Sequence, residues 1–169
     1  MSELILKPME TPEEIRGKAY VHWKSWQESY AGILDPGYLQ RLTLERCEEM
    51  ALRWPQGTWV AKLDGRVVGF AAWGPAGDAI GAGELYALYV LRDFQGRQIG
   101  RRLMALCLED LRRCRQIFLW VFRENEKAIR FYERFGFRPD GAERVLDLGA
   151  PATAIRMVRE EEPEEEAAP

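Results

Sequence analysis

Two short apolar runs flank a stretch of helical periodicity in the middle of the chain. Residues 84–90 (ELYALYV) and 117–122 (IFLWVF) are apolar at nearly every position, which is typical of strands buried on both faces. Between them, apolar residues recur every three or four positions from Ile99 to Leu111, so this segment predicts an amphipathic helix. A strand, a helix and a strand in this order form a βαβ unit. We therefore expect the two strands to be parallel, with a right-handed crossover.

Turn and capping residues divide the rest of the chain into further elements. Thr11 and Pro12 fit the start of a helix, and Asp64-Gly65 predicts a two-residue hairpin turn. Asn125 caps a short helix that Gly136 ends in the C′ position. The predicted helices cover 12–30, 44–53 and 126–134, and the further predicted strands cover 4–8, 58–63, 66–73, 137–145 and 153–159, with a flexible loop at 74–83. This order predicts an α+β sheet protein built around one parallel strand pair.

Composition and charge indicate one folded domain followed by an acidic tail. The chain has 169 residues, of which 47% are hydrophobic and 11% aromatic, and this share is too high for a disordered protein. Six glutamates lie within 160–166, and without them the formal charge changes from −3 to +3. We expect a domain at 2–159 and a disordered tail at 160–169.

Several classes of protein do not fit the sequence. The three cysteines (Cys47, Cys107 and Cys114) form no C-x-x-C pair, and with a single histidine they predict reduced thiols and no metal site. The first residues lack a secretory signal, and no apolar stretch approaches the length of a membrane span. We therefore expect a cytoplasmic protein without a membrane partner. No groove-reading helix or stacking motif accompanies the arginines, so no nucleic-acid partner is expected.

The segment 92–100 (RDFQGRQIG) leaves the first apolar strand and enters the amphipathic helix. The free main-chain N–H groups and the helix dipole favour an anion at such a place. Gly96 and Gly100 let the main chain approach a ligand closely. The same turn carries four basic residues, Arg92, Arg97, Arg101 and Arg102. A pyrophosphate fits this set, and a glycine-containing loop with a solvated basic surface is the alternative. The segment matches neither the P-loop nor the dinucleotide-binding fingerprint.

Two motifs resemble those of the GCN5-related N-acetyltransferases, the GNAT family. Residues 95–100 (QGRQIG) resemble the acetyl-CoA signature Q/R-x-x-G-x-G/A, with Gln98 in place of the middle glycine. Residues 125–137 (NEKAIRFYERFGF) resemble the second motif, and residues 22–33 resemble a bacterial subgroup of small acetyltransferases. The resemblance implies the GNAT-like acyl-CoA N-acyltransferase fold, with a mostly antiparallel central sheet, one splayed parallel strand pair and flanking helices.

The resemblance also implies acetyl-CoA as the co-substrate, bound between the splayed strands. The main-chain amides of 95–100 would bind the pyrophosphate, the backbone of 88–90 would pair with the pantetheine arm, and an N–H near Val90 would point at the thioester carbonyl. The residues assigned to the co-substrate are Leu88, Tyr89, Val90, Gln95, Gly96, Arg97, Gln98, Ile99, Gly100, Arg101, Asn125, Ala128 and Tyr132.

Acyl transfer to an amine requires a base for the amine and an acid for the leaving thiolate. By resemblance, Glu84 is the base, acting directly or through water, and the alternative is an exposed glutamate at a strand end. Tyr132 resembles the family's acid, and a phenol is protonated at neutral pH. The alternative is that Tyr132 is a core aromatic residue.

The resemblance implies that the first helices and the loop before the fourth strand form the wall of the acceptor pocket, which assigns Trp26, Tyr30, Trp73 and Glu84 to the acceptor. Such a wall binds amines by cation–π contact, and the alternative is that these rings are core. We expect His22 to be a satisfied histidine on the surface or on a helix face rather than a base. The sequence therefore predicts an N-acetyltransferase that moves an acetyl group to the primary amine of a small molecule or peptide by direct attack. The alternative is a catalytically silent acyl-CoA sensor. The resemblance also suggests a homodimer.

Overall fold

A computed structural model describes residues 2–77 and 79–160, which form a seven-stranded mixed sheet with helices on both faces. The strand order is β1-β2-β3-β4-β5-β7-β6. The helices are α1 Pro12–Ser29, α2 Pro36–Arg41, α3 Leu44–Arg53, α4 Ile99–Asp110 and α5 Glu126–Glu133. The strands are β1 Leu4–Pro8, β2 Thr58–Leu63, β3 Arg66–Pro75, β4 Ala82–Val90, β5 Gln116–Phe122, β6 Arg138–Asp147 and β7 Pro151–Glu160. The predicted α+β class is confirmed.

The predicted turn and cap signals have the geometry that their residue types favour. The Oγ1 atom of Thr11 accepts a hydrogen bond from the N–H of Glu14, and the Glu14 carboxylate accepts one from the N–H of Thr11. Glu14 is buried and also binds the ammonium group of Lys7 at 2.6 Å, which ties α1 to β1. Asp64 and Gly65 both have positive φ, as a type I′ hairpin turn requires.

The parallel strand pair of the predicted βαβ unit is confirmed, and it separates after four residue pairs. β4 and β5 pair from Ala82 to Leu85, and every other ladder in the sheet is antiparallel. On the other side of β4, Ala72 faces Ala87 and the next residue of β3 faces Leu85, so Tyr86 is an extra residue in β4. Such a bulge bends its strand. The bulge follows directly on the last pair with β5, and the expected splay of the two strands begins there.

Two helical layers cover the sheet. On one face, α4 packs Leu103 and Met104 against apolar residues of β5 and against Phe137. On the other face, Val21 of α1 packs against β2 and β3. The segment after α1 reaches further across this second face, where Tyr30 packs near Phe122 and leaves the first half of β5 less covered.

The structure differs from the sequence prediction at several element ends. β3 continues to Pro75 and β4 begins at Ala82, so the predicted loop at 74–83 is shorter. The short helix α2 was not predicted; Asp35 caps it and Pro36 occupies its first turn. Gly136 has a φ of 88°. Because the C-cap of α5 is Arg134, Gly136 lies at C″, one residue further from the helix than the C′ position that we predicted for it. β7 includes Glu160, which we had assigned to the tail. The rest of the predicted tail, 161–169, lies outside the described residues.

Candidate active site

The gap between β4 and β5 opens into a cavity of about 1000 Å³. Most of the residues assigned from the sequence line it. These are Trp26, Tyr30, Leu88, Tyr89, Val90, Gln95, Gly96, Gln98, Ile99, Gly100, Arg101, Asn125, Ala128 and Tyr132. Three assigned residues, Arg97, Trp73 and Glu84, are not among the lining residues. The structure therefore brings the two motifs together around one cavity.

The main chain of β4 presents unpaired groups to this gap. Leu91 donates its N–H to the carbonyl of Val68 on β3. Main-chain groups alternate in direction along a strand, so the N–H groups of Leu88 and Val90 point away from β3 and towards the gap. No β5 residue pairs with β4 at this level. The gap therefore exposes the edge that an extended ligand would use as a neighbouring strand.

The turn from Gly96 to the start of α4 carries further main-chain N–H groups without partners. Gln98 has a φ of 68°, and its side chain makes no capping hydrogen bond to α4. Among the described residues, no hydrogen bond uses the N–H groups from Gly96 to Arg101, and the first helical bond runs from Arg102 to the Gln98 carbonyl. The positive φ at Gln98 explains why the related motif has glycine there. Unpartnered N–H groups at the start of a helix are a favourable place for an anion.

The positive charge at this end of the cavity comes only partly from the arginines that we identified in the loop. Arg101 lines the cavity, but Arg92 turns to Glu28, and the guanidinium of Arg97 lies over the Phe94 ring at 5.3 Å. Three basic residues that the sequence analysis missed also line the cavity, namely Lys127, Arg130 and Arg134 of α5 and its C-cap. Their spacing of three and four residues on a short helix was the available signal.

A side-chain hydrogen-bond chain connects α5 to the end of β4. The ammonium group of Lys127 donates to the side-chain oxygen of Gln95 at 2.6 Å. The amide nitrogen of Gln95 donates to the carbonyl of Val90 at 3.0 Å. Gln95 therefore acts through its side chain to fix the edge of β4 where the loop begins.

Three phenol groups lie close together at the inner wall of the cavity. The hydroxyl groups of Tyr30 and Tyr89 are 2.9 Å apart; Tyr132 lies near enough to Tyr30 to raise its pKa, and Tyr89 lies near enough to Tyr132 to raise the pKa of Tyr132. Burial raises the pKa of Tyr132, and the nearby Tyr89 and Cys107 raise it further. Within 2–77 and 79–160, no hydrogen bond satisfies the Tyr132 hydroxyl group. Tyr132 is therefore a protonated phenol that faces the cavity.

Glu84 is half-buried on the sheet face opposite α4. It is the register partner of Phe118 on β5, so both side chains lie on that face. Burial raises the pKa of Glu84, and the positive charge of Arg144 partly opposes this shift. Leu85 and Tyr86, the next two residues of β4, line the cavity. Glu84 thus lies immediately beside the cavity rather than in its wall.

The side chains of Trp73 and His22 lie in different places from those we predicted. Trp73 does not reach the cavity: it is buried in the core, stacks on Trp59, and donates its indole N–H to the Asp110 carboxylate at 2.6 Å. An apolar strand followed by glycine gave no indication of which way this ring points. His22 is buried rather than on a surface, and burial together with the nearby Lys18 lowers its pKa to about 4. It is therefore neutral at pH 7.

The three cysteines are free thiols. Burial raises the pKa of Cys47 to about 11 and that of Cys107 to about 12, so neither is an activated nucleophile. In the described part of the chain, no three His, Cys, Asp or Glu residues gather as a metal site would require, and no helix is long and apolar enough to cross a membrane.

Known proteins resemble this chain in sequence and in fold. The acetyltransferase (GNAT) family profile matches residues 20–137. The chain is 34% identical over 154 residues to YuaI, an uncharacterized N-acetyltransferase of Bacillus subtilis. This alignment covers 86% of this chain and 84% of YuaI. It is 30% identical over 109 residues to the spermine/spermidine N(1)-acetyltransferase of the same species, covering 60% and 70%.

A solved structure with the same fold is the PaiA N-acetyltransferase of Thermoplasma acidophilum in complex with coenzyme A. It superimposes with a TM-score of 0.75 at 20% identity and covers 94% of this chain and 99% of that one. The family profile and the similarity to YuaI extend over both motifs that surround the cavity. The chain therefore belongs to the acetyltransferase (GNAT) family and is an N-acetyltransferase.

Proposed function

We propose that the protein transfers an acetyl group from acetyl-CoA to a primary amine by direct attack within a ternary complex. One observation supports this most strongly. The unpaired edge of β4, the unpartnered N–H groups at the start of α4 and the Tyr132 hydroxyl group all face one cavity. An extended ligand with an anionic end and a reactive thioester matches this arrangement of groups.

The residues present fit a coenzyme A group. The N–H groups from Gly96 to Arg101 suit a pyrophosphate, and Arg101, Lys127 and Arg130 supply positive charge around it. Leu88 offers its main-chain groups to the pantetheine amides. Asn125 uses its side-chain oxygen to cap α5 through the N–H of Ala128, which leaves its NH₂ group for a ligand carbonyl. When bound, acetyl-CoA supplies an activated acetyl thioester.

Main-chain donors at the gap have a catalytic role in this proposal. The N–H of Val90 points away from β3, and we assign it to the thioester oxygen. Negative charge develops on that oxygen during acyl transfer. One well-aimed N–H donor in such a position is worth about 3 kcal/mol.

Tyr132 and Glu84 complete the proton transfers. Tyr132 stays protonated because burial raises its pKa, and its hydroxyl group gives its proton to the leaving sulfur. Glu84 takes the proton of the attacking amine, directly or through water. Its raised pKa makes it a stronger base than an exposed glutamate, and the positive charge of Arg144 limits that rise.

The acceptor enters from the side of α1. Trp26 and Tyr30 line the cavity there, and the Tyr30 ring meets the rings of Trp26 and Phe122 edge-on at 4.9 and 5.0 Å. These rings therefore pack against one another and also line the cavity, so the core interpretation and the acceptor-wall interpretation are compatible for Trp26 and Tyr30. A primary amine on a small molecule or a peptide is the proposed acceptor. A homodimer and a cytoplasmic location remain predictions from the sequence.

A thiol-release assay tests the proposed function. The purified protein is incubated with acetyl-CoA and a panel of primary amines, and release of the CoA thiol is followed. We expect turnover with at least one amine class and product masses that are 42 Da higher than the amine, the mass that an acetyl group adds. Binding of CoA in a calorimetric titration without turnover on any amine would instead support the acyl-CoA sensor. The absence of CoA binding would contradict both.

A further inference from the structure

The sheet face opposite α4 stays partly open next to the proposed active site. α1 and the segment after it cover this face at Phe122, the last residue of β5. Phe118 and Trp120, earlier on the same strand, are only half-buried. Glu84 lies on this face as the register partner of Phe118, and Trp120 also lines the cavity. An acceptor that reaches Glu84 must therefore pass over the Trp120 region.

Two arginines from the neighbouring strands lie on this aromatic surface. The guanidinium of Arg144, from β6, lies 3.9 Å from the centre of the Trp120 ring. The guanidinium of Arg156, which is directly opposite Trp120 on β7, lies over Phe118 at 4.7 Å. A guanidinium that stacks on an aromatic ring is held in one plane, and its N–H groups still point outwards from the ring edge.

The charges of the two arginines are satisfied differently. Arg156 forms an ion pair with Asp140 at 2.6 Å. Arg144 is exposed, and its side chain takes part in none of the ion pairs or hydrogen bonds found among residues 2–77 and 79–160. The neighbouring Glu143 pairs with Arg123 instead. Arg144 therefore presents an oriented positive group with its N–H donors unused.

Arg144 also lies close to the proposed reaction centre. Its charge influences Glu84, and the Trp120 ring beneath it forms part of the cavity wall. No aspartate or glutamate is among the described residues that line the cavity, and Glu84 lies beside it. A polyamine would meet few counter-charges along this route. An amine with an anionic group would meet an unpaired guanidinium beside the base.

We infer that the acceptor is a primary amine that also carries an anionic group, a carboxylate or a phosphate, and that Arg144 binds this group while Trp120 holds the guanidinium in place. The inference rests on the proposed function and narrows its substrate class. Arg144 provides the bidentate donor geometry that suits both anions. Amines without such a group, including polyamines, are then poor acceptors.

Paired acceptors test this assignment. The thiol-release assay compares common α-amino acids with their carboxamides, and phosphoethanolamine with ethanolamine, in the wild type and in Arg144→Met. For each pair, kcat/KM for the amine with the anionic group is divided by kcat/KM for the partner without it. Comparing this ratio between the wild type and the variant removes differences in the intrinsic reactivity of the two amines. The carboxylate and phosphate pairs distinguish the two kinds of anion. We expect Arg144→Met to lower the ratio about 10- to 100-fold, mainly through KM, as for loss of a charge-assisted hydrogen bond.

Two further variants and one binding measurement complete the design. Arg144→Lys should keep part of the preference, and Arg112→Met, in the exposed turn that follows α4, should keep all of it. Isothermal titration calorimetry of the acetylated anionic product with CoA present should show weaker binding to Arg144→Met by a similar factor.

Each outcome decides between the proposals. An equal loss of rate for anionic and uncharged partners would mean that Arg144 only tunes Glu84, and it would overturn the inference. Wild-type preference for uncharged amines or polyamines would overturn it too, while leaving the acetyltransferase function intact. Absence of turnover on every amine would overturn the proposed function itself, and the inference with it.

Discussion

The hydroxyl groups of Tyr30 and Tyr89 lie 2.9 Å apart and join the end of α1 to β4, three residues beyond the bulge at Tyr86. Burial raises the pKa of both phenols, so one hydroxyl donates to the other at any pH near neutrality. The Tyr89 ring also stacks near His22 of α1. The helix that borders the proposed acceptor entrance is thus attached directly to the strand that forms the gap.

Replacing Tyr30 by phenylalanine should destabilise the fold by about 1 kcal/mol, because the buried Tyr89 hydroxyl loses its partner. Tyr20→Phe is the matched control, since its hydroxyl group makes no hydrogen bond within the described part of the chain. Urea denaturation of both variants measures the effect. Equal stabilities of the two would show that the Tyr30–Tyr89 bond contributes nothing measurable.

The variant Tyr132→Phe should lose activity and keep its stability. The wild-type Tyr132 hydroxyl group has no protein partner among the described residues, so we expect little change in stability or in CoA affinity. Turnover should fall about 100-fold, which is a typical contribution of a general acid. Steady-state kinetics and a CoA titration measure the two properties separately. Unchanged turnover across the pH range would remove Tyr132 from the mechanism.

Glu84→Gln should lower the rate in a pH-dependent way. Below the raised pKa of Glu84 the wild-type carboxylate is protonated, so the wild-type rate should fall as the pH falls through that value. Above the pKa of the amine the acceptor needs no base, and the variant should approach the wild type. The largest difference is expected near neutral pH. A variant with the full wild-type rate at pH 7 would show that another group is the base.

Two substitutions at Gly100 test the anion-binding end of the cavity. A Cβ atom at this position would lie 3.6 Å from the Phe131 ring and 3.8 Å from Leu88, which is ordinary contact, so Gly100→Ala should bind CoA normally. Gly100→Glu places a carboxylate beside the N–H groups that we assign to the pyrophosphate. We expect its CoA affinity to fall at least about 10-fold through charge repulsion. Calorimetry with similar affinities for both variants would move the pyrophosphate elsewhere.

His22 should make stability depend on pH. Its pKa is about 4 in the folded protein and 6.5 ordinarily, so the unfolded chain binds more protons between these values. Stability is therefore lost as the pH falls through this window, by about 2 kcal/mol between pH 7 and pH 5. His22→Phe should remove that slope whatever its effect at pH 7. Denaturation curves at the two pH values give the comparison, and an unaltered slope would contradict the assignment.

The sequence predicted the elements whose signals are local. Capping residues such as Thr11, the Asp64-Gly65 turn and the periodicity of α4 each depend on a few neighbouring residues, and all three are confirmed. The loop and the helix after β5 were assigned by resemblance, and the structure places them around one cavity.

Features that depend on distant contacts were not predictable. The bulge at Tyr86 lies in a strand that is apolar on both faces, so one extra residue changes no visible pattern. Trp73 lies in β3, which is also apolar on both faces, so the sequence could not assign its side chain to the core or to the cavity. Lys127 and Arg130 reach the cavity only because the fold places α5 beside the gap, and the stacking of Arg144 on Trp120 requires three strands to come into register.

Beyond the bulge at Tyr86, β4 and β5 separate, and the sheet lacks a strand between them. From Tyr86 to Val90, no strand pairs with the gap-facing main-chain groups of β4, and the co-substrate would take the place of the missing strand. Occupancy and folding are therefore thermodynamically linked. A ligand at 100 times its dissociation constant adds about 2.7 kcal/mol to the unfolding free energy. The amide protons of Leu88 and Val90 would then exchange more slowly with solvent.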